Sequence, residues 1–504
     1  MRIKAGCAAL VAAFLVSSTA AAQDVTLLAR EGGIVLTGTL LGFDGEFYRI
    51  DTSYGPLTVD GQGVICEGPA CPDLIAPKAV IRVTGNQDAG NSLLPGLFRA
   101  FAERRGLLFD LGDGPAFAAV IRDPKTGKTL AELSFQAAPA DLAIAALTAG
   151  TAELVVTARP EKPFGTKALA MDALVVIMAP DNPTPEISTA NLARALAREV
   201  QNWVDVGGPD MPIVLHALAP DADLQRALTD RLGAGVQADV LHPDLASLAA
   251  AVARDPWALA VTGRAETGAA KVLALTDSCG FPLLPTAVAV KAEDYPLALP
   301  IFLLTPPRRL PLMAREFLEF LSSPTAQQVI SAAGYVDRSA SRQPMTADGL
   351  RLINAIQGAG DDITLADLKR LVNLMDGADR LSLTFRFEDG SSTLDAQSQD
   401  NLADLARLIA SGQFRGEAMV LAGFSDGSGA AAANLALSVE RAARVAQDLA
   451  ALAPDLTAAM LPRVEGFGEA LPMACDTTEA GRHLNRRVEL WLVPQFTDSP
   501  PPEN

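Results

Sequence analysis

Between Pro77 and about Val336 the chain alternates short apolar runs with longer runs of helical spacing, and this alternation restricts its possible architectures most. Ala79–Val83 reads as a strand. It is followed by a helix with Leu94, Leu97, Phe98 and Phe101 at i, i+3, i+4 and i+7 on one face. Leu154–Thr157 and Ala173–Met178 carry no polar alternation, the pattern of strands buried on both faces of a sheet. A late helix carries Phe317, Phe320 and Leu321. Repeated β-then-α units with buried strands require helices layered on a sheet, so the region is expected to be α/β.

The chain has 504 residues, too many for one ordinary core, and two to four domains are expected. From Val25 to about Cys71, β-rich runs are split by Gly32-Gly33, Asp44-Gly45 and Tyr54-Gly55, which predicts a small β meander over 23–75. At the other end, Leu381-Ser-Leu-Thr-Phe385-Arg-Phe387 alternates as a strand does. Between them, 341–379 reads as a helical connector. Leu350, Ile353 and Ile356 form one stripe and Leu365, Leu368, Leu371 and Val372 another, both expected to dock onto a core. Residues 495–504, with three consecutive prolines, are expected to be a disordered tail.

The first 22 residues have the order of a secretory signal: Arg2 and Lys4, an apolar run from Ala8 to Val16, then Ala20-Ala21-Ala22. Cleavage is expected before Gln23, and no later stretch reads as a transmembrane segment. Export permits disulfides. Cys66 and Cys71 bracket a turn-forming tetrapeptide and are expected to bond to each other, no histidine being near enough to complete a metal site. Cys279 and Cys475 could pair across domains or remain buried thiols. The formal charge of −18 disfavours nucleic acid and anionic membrane surfaces as partners.

Two sets of motifs carry family resemblances. Asn202-Trp203-Val-Asp-Val-Gly207-Gly208-Pro209-Asp210, Tyr295-Pro296-Leu297 and the ending from Arg315 to Pro324 resemble the phosphate-type substrate-binding proteins of ABC transporters. That resemblance implies two α/β lobes over 76–340 with a small ligand between them. It places the candidate cleft residues at Gly85, Asn86, Gln87 and Asp88, and at Thr157 and Arg159. Phosphate-binding relatives offer hydroxyls and backbone N–H groups at the first turn, where this chain has Asp88. Tight phosphate binding is therefore not expected, and Arg159 is a candidate to pair with Asp88 across the cleft.

The second set lies in 380–494: Gly423-Phe424-Ser425-Asp426-Gly427, then Asn434-Leu-Ala-Leu437-Ser438-Val-Glu-Arg441-Ala442, then Gly466-Phe-Gly468-Glu469, then Asn485-Arg486-Arg487-Val488. This order resembles the OmpA-like domain, an α+β fold of βαβ type that grips the diaminopimelate stem of peptidoglycan. The resemblance makes Asp426 and Arg441 the principal contacts, with Asn434 and Arg486 as further ones. Phe424 stands where many members carry His. The ligand chemistry agrees: an amine beside a carboxylate calls for one anionic side chain and one cationic fork. On the Asn434 helix, Leu435, Val439, Ala442, Ala446 and Leu449 are expected to form the buried face, leaving Arg441 away from it. An isolated Asp and Arg would more often be a cap and a surface ion pair, but the four-motif context favours the binding role.

The three histidines, His216, His242 and His483, show no metal-ligand spacing, and no nucleophile elbow or phosphate-cradling loop stands out. No catalytic residue, metal or cofactor is expected. The expectation is therefore a periplasmic, peptidoglycan-anchored binding protein whose two-lobed domain recognises a small ligand or partner. The alternative is an anion receptor of an ABC transporter.

Overall fold

A computed structural model describes residues 25–29, 32–43, 46–68, 70–71, 78–114, 116–233, 235–357, 363–388 and 390–494. The expected export signal and C-terminal tail lie outside the described residues. The chain divides into two compact units, the first ending at Lys78 and the second starting at Ala79.

In the first unit, β1 (Val25–Ala29), β2 (Val35–Phe43), β3 (Phe47–Thr52), β4 (Gly55–Asp60) and β5 (Val64–Glu67) form an antiparallel sheet in the order β4-β3-β2-β1-β5. Val25, Leu27, Tyr48, Ile50 and Val64 fill its small core. A core this small benefits from a staple. Cys66 and Cys71 supply one: they are disulfide-bonded, as the sequence led us to expect.

The second unit opens with β6 (Ala79–Gly85), α1 (Gln87–Arg104), β7 (Leu108–Leu111), β8 (Ala118–Arg122), β9 (Thr129–Ala137), α2 (Ala140–Ala149) and β10 (Leu154–Thr157). Next comes β11 (Gly165–Met178), then β12 (Glu186–Ser188), α3 (Thr189–Leu196), β13 (Val214–Leu218), α4 (Asp223–Leu232), β14 (Val240–His242), α5 (Leu245–Val252) and β15 (Ala258–Gly263). The short β16 (Lys271–Val272), β17 (Ala274–Thr276), β18 (Pro282–Leu283) and α6 (Ala287–Lys291) precede β19 (Ala298–Thr305), α7 (Leu312–Phe320) and α8 (Pro324–Ala332).

One long strand makes the two lobes. Residues 165–173 of β11 pair with β19 and 174–178 pair with β15, so the sheet runs β14-β13-β15-β11-β19-β10-β6-β9-β8-β7. The first lobe holds β6 to β10, β19 and their helices; the second holds α3 to α6 and β13 to β15. The apolar stripe of α1 packs inward as its spacing predicts, with the Phe98 ring 4.1 Å from that of Phe317.

The C-terminal part comprises β20 (Arg342–Pro344), α9 (Gly349–Gln357), α10 (Leu365–Met375), β21 (Asp379–Phe385), α11 (Ala396–Ala410), β22 (Glu417–Phe424), α12 (Ala431–Leu452), β23 (Arg463–Gly466), α13 (Glu479–Asn485) and β24 (Arg487–Pro494). Its sheet runs β20-β21-β24-β22-β23. α11 and α12 cover one face through Leu405, Ile409, Ala442, Val445 and Leu449. The other face, around Trp491 and Phe424, is covered by α9 and α10 through Ala355, Leu371 and Met375.

Two expectations about helix faces are corrected. In the connector, Leu371 docks onto the core as expected and Leu368 is half-buried, but Ile353, Ile356, Leu365 and Val372 are exposed. α9 instead turns Ala355 and Arg351 inward, because Arg351 meets the buried Glu489 of β24 at 2.7 Å. On α12 the buried stripe is Asn434, Ser438, Ala442, Val445 and Leu449, while Leu435 and Val439 are 37% and 41% exposed. The cause is close packing over glycines. A Cβ at Gly423 would meet the Ser438 carbonyl oxygen at 1.9 Å, and the Ser438 hydroxyl accepts the Gly468 N–H at 2.9 Å. Small polar residues fit there where leucine would not.

The C-terminal part is fixed to both lobes, Lys167 of β11 pairing with Asp400 of α11 at 3.0 Å on the first. Arg380 clamps Asp294 through bonds of 2.5 and 3.0 Å, and Cys279 is disulfide-bonded to Cys475, resolving the open alternative for that pair.

Candidate functional site

Two places bring carboxylates and polar donors together. The first is a groove of about 930 Å³ in the C-terminal part, with Phe387, Ser391, Arg441, Glu479, His483 and Arg486 in its lining. Asp426 lies in the loop just after β22: Oδ1 accepts the Ser428 N–H at 3.0 Å and Oδ2 accepts from Arg486 Nη1 at 3.1 Å. Arg486 also donates to Glu479 at 2.8 Å. Hydrogen bonds from Arg486 and Arg482 hold the Glu479 carboxyl down at about 2. Arg441 projects from α12 into the same groove. It donates a long hydrogen bond to the Phe424 carbonyl, 3.5 Å, and among the described residues it makes no ion pair. Burial lowers its pKa, and the neighbouring Arg486 charge lowers it further.

Three residues of the terminal motif have separate jobs. The Asn485 amide holds the 473–476 loop through Met473, Ala474 and Asp476. Arg486 faces the groove. Arg487 is fully buried beneath Phe424, with its guanidinium carbon 4.4 Å from the ring centroid, and it pairs with Glu489 at 2.7 Å. Asn434 is buried and donates to Glu469 at 3.1 Å, so it shapes the loop beside the groove rather than entering its lining.

The second place is the contact between the lobes. Gly85, at φ 118°, lets β6 turn into α1 with its backbone against Val156; a Cβ there would sit 2.1 Å from the Val156 carbonyl oxygen. Asn86 caps α1 by accepting the Ala89 N–H at 2.9 Å. Its amide donates across the lobes to Asp223 at 3.2 Å. The same Asp223 carboxylate accepts the Thr157 hydroxyl at 2.7 Å and the Ala158 N–H at 2.6 Å. Gln87 is exposed. Arg159 pairs with Asp230 at 2.8 Å and not with Asp88, which corrects the expected cross-cleft pair. Asp88 lies in the first turn of α1 and accepts a backbone N–H of Leu245, at the start of α5. Burial is the main cause that raises its carboxyl to about 6, and Glu266 and Asp244 add to the shift.

His216 and His242 contact each other at 2.9 Å, and His216 reaches Asp255 at 3.3 Å. Among the described residues no group of three or more His, Cys, Asp or Glu could hold a metal ion.

The groove, the Gly-rich loop and the α12 arginine occur together with the expected motif order. Residues 386–486 match the OmpA family. Residues 114–325 match a PBP superfamily domain. Outer membrane porin F of Pseudomonas fluorescens is 37% identical over 118 residues, 23% of this chain and 34% of that protein. The probable lipoprotein YiaD of Escherichia coli K12 is 27% identical over 150 residues, 30% of this chain and 63% of that protein. The chain thus spans less than two thirds of either curated relative. An ABC-type phosphate transport receptor from Vibrio cholerae superposes with a TM-score of 0.41 at 18% identity, over 51% of this chain and 99% of that one. A substrate-binding protein with bound phosphate from Clostridium perfringens gives 0.41 at 15%, over 51% and 99%.

The OmpA family domain points to peptidoglycan binding and association with the cell envelope, and the PBP superfamily domain points to ligand binding. Among the described residues no helix is long and apolar enough to cross a membrane. In the OmpA domain, the structure brings Asp426, Arg441 and Arg486 together and adds Glu479, which no motif marked. In the PBP-like domain, it gathers Asn86 and Thr157 around Asp223, a residue whose only sequence signal is its place at the start of a helical run after Pro220.

Proposed function

We propose that the protein is a periplasmic binding protein held to diaminopimelate-type peptidoglycan by its OmpA domain, while the two-lobed domain serves recognition of a small ligand or partner. The observation that carries the reading is the position of Arg441, a partly buried guanidinium in an open groove, beside the Asp426–Arg486–Glu479 chain of charges. A carboxylate of the stem peptide can take both donors of the Arg441 fork, and its ammonium can join Asp426 or Glu479. Both families matched are binding families, and the reading is of a binder without catalysis.

Co-sedimentation of the mature chain with purified sacculi tests it. Wild type is expected in the pellet, and Arg441→Ala and Asp426→Ala are each expected to lose most binding. Leaving a ligand charge unpaired at a desolvated contact costs about 2–5 kcal/mol. If both variants fold and sediment as wild type does, the charge-pair mechanism is wrong.

A further inference from the structure

The carboxylate of Asp223 is held as a bound anion would be. It is the first residue of α4 in the second lobe, it is buried, and its three donors all come from the first lobe. Thr157 Oγ1 donates to Oδ1, and the Ala158 N–H and Asn86 Nδ2 donate to Oδ2. The donors are themselves fixed. Thr157 Oγ1 accepts the Arg159 N–H at 3.1 Å, and the Asn86 side-chain oxygen is committed to capping α1. Donors with settled partners on every other side have one place left to aim, and Asp223 fills it. A buried carboxylate is tolerated only when hydrogen-bonded or paired, and here the bonds all reach across the gap between lobes.

The rest of α4 closes the same seam. Arg226 clamps Asp141 of α2 at 2.8 and 2.9 Å, and Arg159, just past β10, pairs with Asp230 at 2.8 Å. Both of these guanidinium groups are therefore already paired with carboxylates of the chain.

We infer that Asp223 is a built-in ligand: its carboxylate occupies the oxyanion cradle formed by Asn86, Thr157 and Ala158, so the lobes close on the chain itself and exclude small oxyanions. This narrows the ligand-binding reading of the same cleft and is independent of wall attachment. A free oxyanion and Asp223 compete for one set of donors. The wild-type cleft then has no use for phosphate or a small carboxylate, and recognition by this domain falls to its outer surface or to uncharged ligands.

Removing the side chain at Cβ turns the proposal into a chemical-rescue experiment on the full mature chain. Asp223→Ala should melt several degrees below wild type and show a larger radius of gyration by small-angle scattering. Acetate or formate should restore both, and chloride at equal ionic strength should not. Inorganic phosphate should bind Asp223→Ala at least about tenfold more tightly than wild type by calorimetry. Asp223→Asn, which keeps the size but turns an amide donor on the cradle, should not be rescued. A wild-type isotherm for phosphate or acetate as tight as that of Asp223→Ala would overturn the inference, as would an Asp223→Ala chain that scatters as wild type does and gains no affinity. Should the variant fail to fold, wild type alone still decides: sub-micromolar phosphate binding sinks the proposal, and a flat titration with unchanged scattering supports it. Sacculus co-sedimentation of Asp223→Ala separates this result from the anchoring reading, because it should match wild type.

Discussion

The lobe contact and the C-terminal groove are built from the same materials and end in opposite states. In each, an Asp at a strand or helix end meets donors from distant parts of the chain. At the lobe contact the carboxylate is buried and its three donors belong to the protein, so the charges are satisfied internally. In the groove the acidic side is also satisfied, by Arg486, but Arg441 faces an open space of about 930 Å³. What separates a structural contact from a receptor here is whether one charge is left for something outside.

The largest expected effect comes from breaking a sealed cluster. Glu489 is fully buried and meets Arg351, Arg380 and Arg487. Burial alone would raise its pKa, but the three guanidinium groups overcome this and hold it well below the usual carboxylate range. Glu489→Ala leaves those cations buried without their shared partner, which should cost about 3–5 kcal/mol in denaturant unfolding. A loss near zero would mean that sealed carboxylates in this protein contribute nothing, and the contrast with the groove would fail.

Next in size is a pH effect at Asp172 in β11. It is buried, accepts the Ala173 N–H at 2.8 Å and has no salt-bridge partner among the described residues. Burial is the main cause that raises it to about 7. Its folded pKa is above its unfolded one, so its contribution to stability is fully present below about pH 4, falls as pH climbs through about 7, and is lost above that. At ~1.4 kcal/mol per unit the loss is on the order of a few kcal/mol. Asp88 and Glu293, raised mainly by burial to about 6 and about 7, act in the same direction. Asp172→Asn should therefore flatten the pH 4–7 slope in part. An unchanged slope would show that Asp172 is ionised without cost, so that burial of this carboxylate carries no penalty.

The C-terminal site was legible in the sequence because its determinants are local. Asp426 sits in a Gly-rich loop and Arg441 on one helix, each inside a recognisable run. Glu479 was not legible because no motif marks it, although it lies only seven residues before Arg486, at the other end of α13. The lobe contact was legible in its first half alone. Gly85, Asn86 and Thr157 lie where expected, but Asp223 is 137 residues from Asn86 and 66 from Thr157, and no periodicity signals such a meeting. Asp88 misled for a related reason. It reads as a ligand-facing acid in a turn, whereas its partner is a backbone N–H in the other lobe. The connector stripes misled because spacing reports that a face is apolar, not which face a neighbour covers; Arg351 and Glu489 decided that.

The smallest effects should come from the exposed ion pairs flanking Asp223. The Arg226–Asp141 pair has good two-bond geometry, but the Asp141 side chain is 78% exposed, and both members of the Arg159–Asp230 pair are partly exposed. Water screens such charges and competes for their hydrogen bonds, so Arg226→Ala and Arg159→Ala should each cost only about 0.2–1 kcal/mol and lose less at high salt. Neither should open the lobes in solution scattering, whereas Asp223→Ala should. If either surface variant unlatches the lobes as fully as loss of Asp223 does, the closure is held by the rim charges, and the distinction drawn between a sealed carboxylate and an open one would have to move to the surface.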